Sequence, residues 1–258
     1  LIEPQVLRRM KHDVAELPAK HEVDDCKDIT ISQLQRTLYK QVSNDTQSLS
    51  EQGNKGVMLK ALHDMRMICA HPLKLHQQAT INDSPKAIWL IETLELIKQK
   101  NEKVIIFTEF RDIQVFIKRL LLERYGLNVT TVNGDTNTDS KKGLTRQATI
   151  DKFQEIEGFN AIILSTVAVG FGVNIQKANH VIHYTRSWNP AKEDQATDRA
   201  YRIGQDKEVY VYYPSISAQD FETFEVKLDK LLSSKRRLAD DMLEPNTEIT
   251  QELIQSVY

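Results

Sequence analysis

Val104-Ile105-Ile106-Phe107 runs directly into Thr108-Glu109-Phe110-Arg111, and the reading of this junction decides the fold. Four successive β-branched or aromatic residues, free of glycine and proline, suit a strand buried on both faces. Ile113, Phe116, Ile117, Leu120 and Leu121 then recur at helical spacing, so the strand feeds a helix over residues 111–125. The same beat repeats on both sides. Further strand-like runs are Val129 to Val132, Ile162-Ile163-Leu164, Val181-Ile182 and Val209 to Tyr213. Helical patterns lie near residues 86–100, 139–155, 190–203 and 220–242. Such alternation with short connections predicts an α/β fold, a parallel sheet with helices on both faces. Ser84-Pro85 reads as a helix N-cap followed by a first-turn proline, and marks where this part begins.

Upstream the pattern changes. Leu34, Leu38 and Val42 form one amphipathic set, and Leu59, Leu62, Met65, Met67 and Ile68 another, ending at Ala70-His71-Pro72. The polar stretch Ser43 to Gly56 between them predicts a loop. Residues before 84 therefore read as a helical appendage.

Composition narrows the classes. The chain has 258 residues, 40% apolar and 27% charged, enough for a real core. Only 9 glycines and 7 prolines occur, which excludes collagen-like and low-complexity chains. No apolar run reaches the length of a membrane span, and no secretory signal opens the sequence. Two cysteines, Cys26 and Cys69, cannot build a disulfide framework and fit a reducing, intracellular compartment. With 34 basic and 36 acidic residues the net charge is −2, so a generally basic coat is excluded but a local basic face is not. The first residue is Leu, which suggests a fragment or a processed chain.

In an open α/β sheet, ligands bind beyond the carboxyl ends of the strands. Those ends carry Thr108-Glu109-Phe110-Arg111, Asn133-Gly134-Asp135-Thr136, Ser165-Thr166 through Gly170-Phe171-Gly172-Val173-Asn174, and Tyr184-Thr185-Arg186-Ser187-Trp188-Asn189-Pro190. Small hydroxyls, glycines that expose backbone amides, two arginines and the aromatic Trp188 suit contact with phosphates. A second element is Gln195-Ala196-Thr197-Asp198-Arg199-Ala200-Tyr201-Arg202-Ile203-Gly204-Gln205. On a continuous helix, Gln195, Arg199 and Arg202 share one face, and Gly204 ends it as a left-handed cap. Two guanidiniums one turn apart can clamp a polyphosphate. His180 and His183, in one strand, point to opposite faces, so no metal site is expected.

Taken together, these residues resemble the SWI/SNF-type DNA translocases of helicase superfamily two. The resemblance rests on Leu164-Ser165-Thr166 with Gly170-Phe171-Gly172-Val173-Asn174, on Trp188-Asn189-Pro190, and on Asp198-Arg199-Ala200-Tyr201-Arg202-Ile203-Gly204-Gln205. Leu7-Arg8-Arg9-Met10-Lys11, Leu17-Pro18-Ala19-Lys20, Met65-Arg66-Met67-Ile68-Cys69-Ala70-His71-Pro72 and Val104 to Phe110 are similar to further family segments, in the family's order. Neither Gly-x-x-x-x-Gly-Lys-Ser/Thr nor Asp-Glu-x-His occurs in the sequence. In the family those motifs belong to the first RecA-like lobe, so the chain resembles the second lobe alone.

The resemblance implies a RecA-like lobe over residues 84–218, preceded by an interlobe linker and helical protrusion over 1–83. A C-terminal brace helix and tail over 219–258 follow. It implies that Arg199 and Arg202 are arginine fingers reaching the phosphates of ATP, with Gln195 turned to the same cleft. It places Gly170, Gly172 and Asn174 in a loop coupling nucleotide to DNA, where Val169 stands in place of the family's first glycine. Thr108, Gly134, Thr136, Arg146, Thr166 and Trp188 match positions at the DNA backbone. ATP with magnesium would be held mainly by the first lobe, so the lobe alone is expected to be inactive. The implied partners are double-stranded DNA, that first lobe, and RNA polymerase or another DNA-bound protein, with no membrane. A prokaryotic cytoplasm is favoured over a nucleus. Two other readings stay open: a non-catalytic docking lobe, and a strand-separating helicase.

Overall fold

The structure is a computed structural model that describes residues 17–50, 55–133, 145–166 and 173–243. Its centre is β3 (Lys103–Phe107), whose five residues are all buried. Successive side chains of a strand point to opposite faces. Val104 and Ile106 accordingly enter one core with Leu90, Leu94, Ile113 and Ile117. Ile105 and Phe107 enter the other with Ile150, Phe153, Ala196 and Ala200. The helices on the first face are α3 (Pro85–Gln99) and α4 (Arg111–Tyr125); those on the second are α5 (Arg146–Glu155) and α6 (Pro190–Thr197).

Among the described residues the main sheet has six parallel strands. Its order is β1 (Lys20–Val23), β7 (Val209–Tyr212), β6 (His180–His183), β3, β5 (Asn160–Leu164) and β4 (Thr131–Val132). This is the parallel sheet expected from the alternation, and it agrees with the RecA-like lobe that the resemblance implies. A two-strand parallel pair, β2 (Ile29–Thr30) with β8 (Ile216–Ser217), lies apart from it. The remaining helices are α1 (Gln33–Ser50), α2 (Lys55–Ala70) and α7 (Phe224–Leu243). They share a third core, in which Tyr39, Ile68 and Cys69 meet Phe224, Leu228 and Leu232. Lys86 of α3, fully buried, donates to Glu225 of α7 and ties this core to the sheet.

Four sequence expectations need correction. The segment assigned to a helical appendage also supplies β1 and β2, one strand to each sheet. Lys20, His21 and Glu22 are exposed, so this edge strand carries no apolar alternation to read. The loop expected from Ser43 is helical to Ser50, because a polar stretch without glycine or proline does not break a helix. Of the helix expected over 139–155, the described part begins at Arg146, capped by Thr145, whose hydroxyl accepts from the Ala148 N–H at 3.2 Å. The helix expected over 190–203 ends at Thr197. Continuation would need the carbonyls of Arg199 and Ala200. Instead the Ile175 N–H takes the Arg199 carbonyl at 2.9 Å, and Gln205 Nε2 takes that of Ala200 at 3.2 Å.

Candidate functional site

The carboxyl ends of β3, β5 and β6 are stitched into one rim. The Thr108 N–H donates to the Leu164 carbonyl at 3.0 Å, and the Thr185 N–H to the Phe107 carbonyl at 3.4 Å. The Thr185 hydroxyl donates to Thr108 Oγ1 at 2.9 Å and accepts from the Glu109 N–H at 3.3 Å. Thr166 Oγ1 donates to the carboxylate of Glu109. Thr108 is fully buried and Thr166 nearly so, which places Thr108 beneath the rim rather than on its surface. Arg146 is buried at the start of α5, not a solvated helix charge. Trp188 is 47% exposed, its edge against Phe224 at 5.0 Å and its ring 5.4 Å from the Arg66 guanidinium.

Because α6 stops at Thr197, Gln195, Arg199 and Arg202 do not share one helical face. Gln195 is exposed on α6, whereas Arg199 and Arg202 lie in the turns that follow. Gly204 has the expected positive φ of +96°, but within that turn segment rather than as the cap of α6, whose C-cap is Asp198. A Cβ there would meet the Gln176 side chain at 3.0 Å, so glycine serves both conformation and space. Arg202 is exposed, and its Nη1 donates to Asn174 Oδ1 at 2.6 Å. The fold thus brings together two residues that the sequence separates by 28 positions.

Arg199 is only 9% exposed, and its buried Nε has no hydrogen-bond partner among the described residues. Burial depresses its pKa, the Arg202 charge depresses it further, and Asp198 partly opposes both. Neither guanidinium forms an ion pair with a carboxylate among the described residues. Two mutually repelling cations, one sheltered and one open, have the chemistry to pair with an anion carrying several charged oxygens. Gly134, Thr136, Val169, Gly170 and Gly172 lie outside the described residues.

Arg186, read from the sequence as a strand-end arginine suited to phosphate contact, is instead buried in an ion-pair network that holds this rim. Arg186 is 3% exposed, and its Nε and Nη2 donate to the two oxygens of Glu193, each at 2.9 Å. Its Nη1 donates to Asp229 of α7, and its guanidinium lies 4.1 Å from the Tyr213 ring centroid. Arg236 of α7 donates to Glu193 at 3.0 Å and to Asp194 at 2.9 Å. Helix α7 is thereby fixed to α6, just ahead of the arginine turns. No motif signalled this network, since its hydrogen-bonded partners lie up to 43 positions apart. His183 stacks on Phe107 and Tyr213 while His180 stacks on Tyr210 and Tyr212, on opposite faces as their spacing requires. Among the described residues, no group of three or more His, Cys, Asp or Glu side chains is disposed to hold a metal ion. No described helix is long and apolar enough to cross a membrane.

Residues 85–204 match the helicase conserved C-terminal domain family. The chain is 54% identical over 252 residues to the Zorya protein ZorD of Escherichia coli O139:H28, covering 94% of this chain and 23% of that protein. It is 38% identical over 262 residues to the helicase/translocase YwqA of Bacillus subtilis, covering 97% of this chain and 27% of YwqA. The chain thus spans about a quarter of the length of these curated relatives. The Sulfolobus solfataricus SWI2/SNF2 ATPase core in complex with dsDNA superposes with a TM-score of 0.68 at 31% identity, over 98% of this chain and 52% of that one. Fold and rim therefore define a C-terminal RecA-like lobe of the helicase kind. The chain belongs to the SWI/SNF-type family of helicase superfamily two.

Proposed function

We propose that this chain is the C-terminal motor lobe of an intracellular, ATP-dependent translocase on double-stranded DNA that remodels protein–DNA complexes. The observation that carries the reading is the Arg199–Arg202 pair, two cations that form no ion pair with a carboxylate among the described residues, placed by the Asn174 hydrogen bond and by the turn after α6. Arg202, exposed and hydrogen-bonded to Asn174, would reach across a cleft, with Arg199 beside it in the same turn segment. Gln195, exposed one turn earlier, would face the same cleft together with the loop of Gly170 and Gly172.

ATP with magnesium supplies the transferable phosphoryl group and the metal that neutralises its oxygens, held mainly by a first lobe. The residues of this chain fit the phosphate side of that arrangement. In this reading the two guanidiniums balance charge that develops on phosphate oxygens during cleavage, a contribution worth about 10³–10⁵ in rate. The lobe alone is then inert, because its cations have no anchored nucleotide to act on.

DNA would pass along the rim. Thr166 and Trp188, with Gly134, Thr136 and Arg146, would meet the backbone of one strand, and Thr108 would act from beneath by orienting Thr185. That the similar Sulfolobus solfataricus ATPase core was solved in complex with dsDNA supports DNA as the ligand. Contacts to phosphate carry no sequence information, so binding is expected to be sequence-tolerant and to weaken with salt. The net charge of −2 gives the lobe little affinity for DNA without its partner lobe. RNA polymerase or another DNA-bound protein would be the complex displaced.

The test is ATP turnover by the whole protein with duplex DNA, single strands or RNA as stimulant. Arg202→Ala should lower duplex-stimulated kcat by about 10³ or more with the fold intact. Unchanged turnover would remove the finger assignment, and stimulation by single strands alone would remove the duplex reading.

A further inference from the structure

The rim holds an acid where the proposed ligand is a polyanion. Glu109 follows β3 by two residues, is half-buried, and accepts the hydroxyl proton of Thr166. Its position is fixed from below, because its N–H donates to Thr185 Oγ1 at 3.3 Å. A hydroxyl has one proton to give. The donor that would meet a DNA phosphate is therefore already spent on a carboxylate, and two anions competing for it repel one another.

An alternative partner for that carboxylate lies alongside. Arg66, from α2, stands 4.7 Å from the ring centroid of Phe110, the residue next to Glu109, and 5.4 Å from that of Trp188. Among the described residues its guanidinium makes one hydrogen bond, from Nη2 to the Arg186 carbonyl at 2.8 Å. A guanidinium has five N–H donors, so most of its capacity is unused. Burial lowers the pKa of Arg66, and the charges of Glu109 and Glu225 work against that fall. Arg66 is thus a half-buried cation with no carboxylate hydrogen-bonded to it among the described residues, and Glu109 is a carboxylate occupying a neighbour's donor.

We propose that Glu109 is a positioning residue that withholds the Thr166 hydroxyl until a duplex phosphate displaces its carboxylate towards Arg66, beneath Trp188. The proposal rests on the reading of Thr166 as a backbone contact. It makes the grip on DNA conditional: an isolated small anion gains one hydroxyl, whereas a duplex gains the whole rim and compensates the displacement. It also links arrival of a phosphate at β5 to the support under the exposed tryptophan.

The experiment measures duplex binding by the whole protein without nucleotide, by fluorescence anisotropy of a short labelled duplex. Glu109→Gln keeps the shape but replaces a charge-assisted acceptor with a neutral, weaker one. Binding should tighten about tenfold, since an opposing anion is removed from the interface. Thr166→Val should weaken binding, and in the double variant the gain from Glu109→Gln should vanish, because no hydroxyl remains to be released. Arg66→Gln should weaken binding in the parent protein and not in the Glu109→Gln background. If Thr166→Val weakens binding while Glu109→Gln leaves it unchanged or weaker, the gate is wrong and the contact reading stands. If Thr166→Val has no effect, the contact reading falls and the gate with it. A gain that survives in the double variant would make Glu109 a mere background charge, and equal losses from Arg66→Gln in both backgrounds would remove Arg66 as the destination.

Discussion

Glu193→Ala should destabilise the lobe more than any change at its surface. The Glu193 carboxylate is fully buried and accepts four hydrogen bonds: two from Arg186 at 2.9 Å, one from the Ser187 N–H at 2.8 Å, and one from Arg236 at 3.0 Å. Burial alone would raise its pKa. The Arg186 hydrogen bonds and the charges of His183, Arg186 and Arg236 outweigh burial and hold it below the ordinary carboxylate range. Truncation leaves Arg186 buried with Asp229 alone to balance it. Breaking one partner of a buried pair costs about 3–5 kcal/mol. For a lobe of this size that corresponds to a fall in Tm of about 10 °C. The assay is thermal and urea unfolding followed by circular dichroism. Replacing both partners, Glu193→Leu with Arg186→Met, should recover most of the loss, because no uncompensated charge remains. The depressed pKa also sets a sign. Its stabilisation is fully present above the unfolded carboxylate value of 4.5 and is lost as pH falls through the lower folded value. A cost below about 1 kcal/mol for Glu193→Ala would refute the reasoning, since it would mean that the network is solvated like a surface pair.

Two further outcomes follow from buried groups and backbone geometry. Burial is the main cause that lowers His71 and His183 from 6.5 to about 4 each, so the folded lobe resists protonation that the unfolded chain accepts. Their contribution is complete above pH 6.5 and is lost towards pH 4, up to about 3 kcal/mol each. Tm measured from pH 7.5 downward should therefore fall, His183→Gln should flatten that fall, and a flat profile would contradict it. Gly126 closes α4 at φ +67° with open space around the position of a Cβ. Gly126→Ala should therefore cost about 1–2 kcal/mol from backbone strain alone, Gly126→Asn less, as read by the same unfolding assay.

The central strands were legible because burial on both faces leaves no choice of residue type. Val104 to Phe107 and Ile162 to Leu164 announce themselves, and α4 runs from Arg111 to Tyr125 where the periodicity placed it. Helix α6 misled for a tertiary reason. Its continuation looks helical locally, yet Ile175 and Gln205 claim the carbonyls it would need. The candidate site divides in the same way. Its arginines, threonines and tryptophan are readable from motifs at strand ends, whereas Glu109, Arg66 and the Arg186–Glu193–Arg236 network carry no signal in spacing.

The amino-acid order by itself determined the parallel α/β architecture and the family, because period and residue type act through near neighbours. Only the folded chain decided that Lys20–Val23 lies beside Val209–Tyr212, that Arg199 is sheltered while Arg202 is open, and that the Thr166 hydroxyl is held by Glu109. Those outcomes depend on which distant groups reach a given donor or acceptor first, and that competition exists only once the sheet has closed.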